Sequence, residues 1–318
     1  MPAKLIAELR KDYIQDKYVI IAPRRSLRPH AQGDVNYDCE AVGTTVKQKD
    51  CVFCPAQVDL RKATLVVDGK RGWQMAVLPN KFPAVSLDNP KAYGQQEVVV
   101  ETPDHRVHLE ELPLAQVEQL FEVYAVRTKS IIANPKIEYV LILKNNGGPA
   151  GASLSHAHSQ IFATGFLPPH LLDKSQRVQE YKLKTGRCVY CDVVAKERKG
   201  PRHVYEDSRA VAFTPYASLY NYELWLMPKR HIDNVTNLLP AECASLARML
   251  QLAVKKIAHK LRLPYNYYFH QVVHDDDQHL YIKLTPRGSA WAGVEIGSGV
   301  VINPVSPELA AKFYRSLS

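Results

Sequence analysis

The sequence predicts an α+β protein assembled from two similar halves. Two C-x-x-C pairs, Cys51 with Cys54 and Cys188 with Cys191, are each followed by two distant histidines in the same order. The gaps are comparable: 51 and 51 residues from Cys54 through His105 to His156, against 40 and 48 from Cys191 through His231 to His279. Each middle histidine leads into a Leu-Pro segment that opens an amphipathic run, at residues 112–120 and 239–246, as a proline-started helix would. At 318 residues the chain is long enough for each half to hold its own core.

In chain order, residues 18–22 read as a strand, residues 98–101 as a second and residues 139–144 as a third. Between the last two, Val117, Leu120, Phe121, Tyr124, Ile131 and Ile132 recur at the period of an amphipathic helix over residues 115–133. Residues 155–163 alternate as a strand, and Pro168-Pro169 closes the first half. Residues 170–187, polar and ending at Thr185-Gly186, read as a linker. In the second half residues 223–227 and 279–284 repeat the strand roles and residues 241–261 the helix. Cys39 and Cys243 fall outside the paired series and read as a loop thiol and a helix-face residue.

The chemistry concentrates at His156-Ala157-His158-Ser159-Gln160, reached through the glycine-containing run Asn145 to Gly151 that lets backbone approach a phosphate. Residues two apart on a strand share a face, so one histidine can hold a metal or a wall while the other meets substrate. A neutral imidazole attacks phosphorus without first losing a proton, and the phosphoramidate divides one displacement into two. Gln160, two positions further, can aim its amide at oxygens where charge develops. A strand with core histidines is the plain alternative. Where the first half has His158, the second has Tyr281, so one half keeps the nucleophile and the other does not.

No apolar segment follows Met1-Pro2-Ala3-Lys4 and no long uncharged apolar run occurs, which predicts a cytoplasmic protein without a membrane span. In that compartment C-x-x-C pairs are more often metal ligands than disulfides. The metal expected is zinc, and a closed Cys2His2 site would brace the fold rather than activate water. With 46% hydrophobic and 23% charged residues the chain is ordinary globular material, which excludes a disordered or fibrous class. The net charge of +9 suits a polyanionic partner. Nucleoside diphosphate sugars would satisfy it as well as nucleic acid, for which no basic run or aromatic-interleaved stretch stands out, and general solubility is the plainer reading of the charge.

Taken together, Cys51, Cys54, His105, Asn145, Ser153, His156, His158 and Gln160 resemble the galactose-1-phosphate uridylyltransferase family of the histidine-triad (HIT) superfamily, including its ADP-glucose phosphorylase-like members. The resemblance covers nearly the whole chain. It implies two HIT-like halves, residues 1–170 and 171–318, each an antiparallel sheet with packed helices. It also implies zinc on Cys51, Cys54, His105 and His156, and a second structural zinc on Cys188, Cys191, His231 and His279, as in phosphorylase-type members. His158 would carry the nucleotidyl group, and Asn145, Ser153 and Gln160 would stand at its phosphate. Arg25 and Arg28 match the family's N-terminal arginine segment near substrate phosphates, where forked donors suit the task; solvated surface charge is the plain alternative.

Asn80 matches the nucleoside pocket, and Glu295 the hexose side as an acceptor for sugar hydroxyls. The sequence departs from the family pattern in having His-Ala-His for His-Pro-His, serine for glycine before Gln160, and Lys81 where uridylyltransferases carry an acid beside the base. The implied activity is UDP-glucose:hexose-1-phosphate uridylyl transfer through a covalent nucleotidyl-histidine, with nucleotide-sugar and hexose 1-phosphate substrates and a possible homodimer. ADP-glucose or dinucleoside-polyphosphate phosphorolysis on the same scaffold is the first alternative. A non-catalytic zinc-stabilised nucleotide-binding protein is the second.

Overall fold

Short strands, the inner ones largely buried on both faces, pair into one ten-stranded antiparallel sheet. The computed structural model describes residues 6–27, 48–70 and 72–316, so Arg28 and Cys39 lie outside the described residues. The first half contributes β3 (Leu65–Gly69), β4 (Gly72–Pro79), β5 (Gly94–Val100), helix α1 (Leu114–Ile132), β6 (Tyr139–Asn146) and β7 (His158–Thr164). The second contributes β8 (His203–Glu206), β9 (Ala210–Phe213), β10 (Leu224–Pro228), helix α4 (Pro240–Lys256), β11 (Tyr265–His270) and β12 (Tyr281–Pro286). Helices α2 (Pro169–Thr185) and α3 (Val189–Glu197) connect them. A separate three-stranded sheet joins β1 (Glu8–Lys11) and β2 (Tyr18–Ile21) to β13 (Val301–Asn303), with α5 (Gly293–Ser298) before β13 and α6 (Pro307–Arg315) after it.

The strand order β3-β4-β5-β7-β6-β11-β12-β10-β9-β8 runs through one half and then through the other in reverse. β6 and its counterpart β11 pair with each other, Leu143 opposite Tyr268 and Asn145 opposite Asn266. The expected two units side by side are therefore one continuous sheet about a pseudo-twofold axis, and each half covers the other's strand edge.

One sheet face is buried by α1 and α4. The helices place Val117, Leu120, Phe121 and Tyr124, and Leu246, Leu250 and Val254, over Ile142, Ile161, Ala163, Tyr267, Phe269 and Ile282. Proline at the N1 position and a Glu242 carboxylate accepting the Leu239 N–H at 2.9 Å start α4 where the sequence predicts it. Cys243 is buried on that helix, as its position on a helix face suggests.

The expected linker at residues 170–187 is instead helix α2, capped by Gly186 at φ 70°. Its few apolar residues are spaced to bury one narrow stripe, Leu171 and Val178. Val178 joins α3 residues against Val211, Phe213, Trp225 and Tyr281 on the opposite sheet face. Polarity on its remaining sides disguised a helix as a linker. Among the described residues, no helix is long and apolar enough to cross a membrane.

Lys144 follows the apolar residues 139–143 on β6, and its buried ammonium donates to Glu101 Oε2 at 2.7 Å and to the carbonyl of His158 at 3.0 Å. Both side chains are closed to water. Replacing one member of such a pair leaves a buried charge uncompensated. Lys144→Met is expected to lower stability by about 3–5 kcal/mol, and the double variant Lys144→Met/Glu101→Leu to recover most of that loss. Denaturant unfolding of the two variants checks this.

Candidate functional site

Alternation along β7 sends Ile161 and Ala163 under the helices and His158 and Gln160 to the opposite face. The ladder begins at His158, so His156 and Ala157 belong to the loop before the strand rather than to the strand expected from residue 155. His158 is 7% exposed. Its Nδ1–H donates to the His156 carbonyl at 2.8 Å, which leaves the Nε2 lone pair unprotonated. Burial holds the imidazole below its ordinary pKa, and the nearby Lys144 ammonium adds to that. A neutral ring with one free lone pair is the form a nucleophile requires.

The approach to His158 turns at Gly147 and Gly151, both with φ near 88° (87° and 88°). A side chain at Gly147 would meet Pro264 at 2.8 Å, so close backbone contact is built in. Asn145 Oδ1 accepts from Asn266 Nδ2 at 2.7 Å, and the same amide donates to Ala150 O at 2.7 Å, pinning the loop to β11. Ser153 is exposed on this loop.

Gln160 belongs to a relay. The Ala84 N–H donates to Gln96 Oε1 at 3.0 Å, and Gln96 Nε2 donates to Gln160 Oε1 at 2.9 Å. That fixes the amide so that the Gln160 NH2 is the group left to meet a phosphate. Asn80, at the end of β4, donates its N–H to Gln96 O at 2.9 Å and accepts from Phe82 N–H at 2.9 Å, so it stands beside the relay. Lys81 and Phe82 form the exposed turn that follows.

Behind His158, Cys51, Cys54, His105 and His156 bring one ligand atom each to within 4.8 Å of one another. Cys51 Sγ lies 3.6 Å from His156 Nδ1, Cys54 Sγ 3.3 Å from His105 Nδ1 and 3.7 Å from His156 Nδ1. A tetrahedral zinc site, with Zn–S about 2.3 Å and Zn–N about 2.0–2.1 Å, has S···N edges of about 3.6 Å. His156 Nε2 donates to Thr102 O at 2.7 Å, which orients the ring as ligating histidines usually are. The donor set and spacing fit zinc. Phe53, inside the C-x-x-C turn, stands 5.3 Å from the His158 ring and links this cluster to it.

In the second half Cys188, Cys191 and His231 converge in the same way, with Cys191 Sγ 3.4 Å from His231 Nδ1 and His231 Nε2 donating to Asp276 O at 2.8 Å. His279 is not among the converging donors. Its ring lies 5.2 Å from that of His231 at 78°, matching the 5.4 Å and 82° between His105 and His156. Its Nδ1–H donates to Leu280 O at 3.0 Å, and its Nε2 is buried without a partner. An orphaned lone pair beside two thiols and an imidazole also fits a metal.

Arg25, in the turn after β2, and Glu295, in α5 before β13, come near each other beside the three-stranded sheet, where β2 pairs with β13 in parallel. The Arg25 charge helps lower the Glu295 carboxyl, but the first cause is the Ala292 N–H, which donates to Glu295 Oε2 at 3.0 Å. In this chain Glu295 caps its own helix and does not stand with the strands around His158. Sequence reading missed Gln96, Glu101, Lys144 and Asn266. Only Lys144, a lysine in an apolar strand, carried a local sign.

Residues 80–168 match the family model Galactose-1-phosphate uridyl transferase, N-terminal domain, and residues 187–289 match Scavenger mRNA decapping enzyme C-term binding. The chain is 30% identical to ADP-glucose phosphorylase of Arabidopsis thaliana over 98% of its own length and 93% of that protein. It is 27% identical to galactose-1-phosphate uridylyltransferase of Thermotoga maritima, covering 97% and 98% of the two chains. The crystal structure of the Arabidopsis ADP-glucose phosphorylase with bound ADP-glucose superposes with a TM-score of 0.84 at 29% identity over 98% and 100% of the chains. A uridylyltransferase structure gives 0.75 at 27% identity over 98% and 97%. Fold and relatives together define a nucleotidyltransferase. The chain belongs to the galactose-1-phosphate uridylyltransferase family, ADP-glucose phosphorylase-like members included.

Gln96→Glu tests the relay. A carboxylate at position 96 accepts from both sides and turns the Gln160 amide around, presenting its oxygen to the phosphate. Single-turnover nucleotidyl transfer is expected to slow about 10²-fold, as when one oxyanion donor is lost, with thermal stability unchanged.

Proposed function

We propose that the protein transfers a nucleotidyl group from UDP-glucose to a hexose 1-phosphate, galactose 1-phosphate in the first instance, through His158. The observation that carries this reading is the His158 ring, tethered through Nδ1–H to the His156 carbonyl with Nε2 unprotonated on the face shared with Gln160. The Nε2 lone pair attacks the α-phosphorus of the donor, the bond from that phosphorus to the bridging oxygen breaks, and glucose 1-phosphate leaves. The proton stays on Nδ1, where the carbonyl of His156 stabilises the cationic ring. A phosphate oxygen of the acceptor then attacks the same phosphorus and the N–P bond breaks. Orientation of the bound reactants supplies much of the rate. Gln160, Asn145 and Ser153 hold the α-phosphate, and Asn80 serves the nucleoside.

Cys51, Cys54, His105 and His156 are assigned to one zinc ion, and Cys188, Cys191 and His231, with His279 Nε2 as fourth donor, to another. Zinc would supply bracing there, since a closed four-ligand site has no open position. Thiolate ligands and five free cysteines among the described residues agree with a reducing, cytoplasmic setting. Arg25 and Glu295 lie on segments next to the three-stranded sheet, outside the ten-stranded sheet that carries His158.

A second reading has its own support. Lys81 stands where uridylyltransferases carry an acid, and the match in fold and length to ADP-glucose phosphorylase favours an adenine donor with inorganic phosphate as acceptor.

Incubation with UDP-glucose or ADP-glucose followed by intact mass separates the two. A uridylyl adduct, acid-labile and discharged by galactose 1-phosphate, is the expected outcome. An adduct formed only from ADP-glucose and discharged by phosphate selects the phosphorylase, and no adduct from either overturns both. His158→Gly is expected to abolish the adduct with metal content unchanged. By elemental analysis Cys188→Ser should lose one zinc equivalent and still form the adduct.

A further inference from the structure

The sheet brings a cation from the second half to the site without an acidic partner. In the ladder Leu143 pairs with Gln160, which sets Asn145, two residues on, beside His158. Asn145 faces Asn266, and Asn266 faces Thr285. At about 4.8 Å per strand, Asn266 stands about 10 Å from His158. Arg287 follows Thr285 by two residues, and its Nη1 donates to Asn266 Oδ1 at 3.3 Å. Asn266 is the residue that pins Asn145 and Ala150, so this guanidinium is tied to the phosphate-approach loop.

The guanidinium is also held in place. The main-chain N–H of Arg287 donates to Pro264 O at 2.7 Å, which fixes the base of the side chain, and the guanidinium carbon lies 5.5 Å from the Tyr220 ring centroid. Tyr220 in turn stacks on Trp291 at 5.5 Å and 15°. Other arginines drawn into the protein carry a carboxylate: Arg10 has Glu308, Arg127 has Glu97 and Arg202 has Glu197. The neighbouring cation, Lys283, has Glu223 at 2.7 Å. Arg287 forms no ion pair among the described residues, and its Nε is buried without a partner. A guanidinium has five N–H donors in a planar fork that matches phosphate. Here the fork meets the row that begins at His158 through Asn266, and most of its donors are unspent.

We propose that Arg287 binds the phosphate that leaves His158 in the first half-reaction and attacks in the second, that of a hexose 1-phosphate or free inorganic phosphate. This rests on the nucleotidyl-histidine reading. The α-phosphate sits at His158, and the second phosphate, one bridging oxygen further along the row, falls between His158 and the Arg287 fork. Arg287 thereby selects donors and acceptors that carry this second phosphate, while nucleoside monophosphates do not reach it.

The test uses the full chain with its metals, comparing wild type with Arg287→Met and Arg287→Lys. Acceptor KM is measured with galactose 1-phosphate and with inorganic phosphate, and UMP and AMP affinity by calorimetry. Charge-assisted hydrogen bonds of about 1.5–3 kcal/mol correspond to a rise in acceptor KM of about 10–100-fold in Arg287→Met. Nucleoside monophosphate affinity should stay within twofold, and Arg287→Lys should recover only part because it lacks the fork. An unchanged acceptor KM, or an equal loss of monophosphate affinity, overturns the proposal. The acceptor that responds, sugar phosphate or free phosphate, tells the two sources apart. If Arg287→Met fails to fold, the lysine variant carries the same comparison. Failure of the wild type to form any adduct overturns the nucleotidyl-histidine reading instead, and inorganic phosphate titrated into wild type and Arg287→Lys then decides Arg287 alone: equal affinity overturns it.

Discussion

Lys144 carries a charge into the sheet under the strand that bears His158. At that depth an ammonium persists only with a partner, and Glu101 supplies it at 2.7 Å while the His158 carbonyl takes a second N–H. The Glu101 segment then reaches in three directions. Its carbonyl accepts from Gln116 of α1 at 2.7 Å, its N–H donates to Ala157 O at 3.1 Å, and the next carbonyl, of Thr102, accepts from His156 Nε2 at 2.7 Å. The core helix, the first Cys/His cluster and His158 are set against one another through two residues of β5's continuation. Tyr124 adds to this from α1, donating to Ser159 Oγ at 2.7 Å between the two histidine-face positions.

The pseudo-twofold arrangement lets the two halves be compared position by position. By register, Gln160 and Lys283 are counterparts, as are His158 and Tyr281, and Val98 and Trp225. Trp225 stacks on Tyr281 at 4.3 Å, His270 lies 4.4 Å from the same ring, and Lys174 of α2 donates to its hydroxyl at 2.8 Å. At the position of His158 the second half thus has a tyrosine packed among aromatic rings. Helices α2 and α3 lie over that face. Both halves bring Cys and His side chains together, four in the first and three in the second, whatever the following strand presents.

Much of this was legible in the residues. The paired Cys, Cys, His, His series gave the repeat, and period-2 alternation at residues 158–163 gave the face on which His158 and Gln160 stand together. The apolar period of α1 and the proline start of α4 located both core helices. What escaped was written in weak or non-local signals. The two buried residues of α2 make too thin a stripe to separate a helix from a linker. Strands β3, β8 and β9 were not read before pairing, although they are as long as β2 and β10, which were. Gln96 and Asn266 look like ordinary polar strand residues until a neighbouring strand gives them Gln160 and Asn145.

By itself, then, the sequence determined the chemical types and their local geometry: thiols and imidazoles at metal spacing, a histidine and a glutamine on one strand face, glycines where the backbone must turn. Those depend on bond geometry and side-chain period, which act over a few residues. Only the tertiary structure decided that β6 pairs with β11, that Lys144 finds Glu101, that Gln96 meets Gln160 and that Arg287 reaches Asn266. Each is a contact between residues far apart in the chain, fixed by strand register and burial. No local pattern carries that information until the sheet has formed.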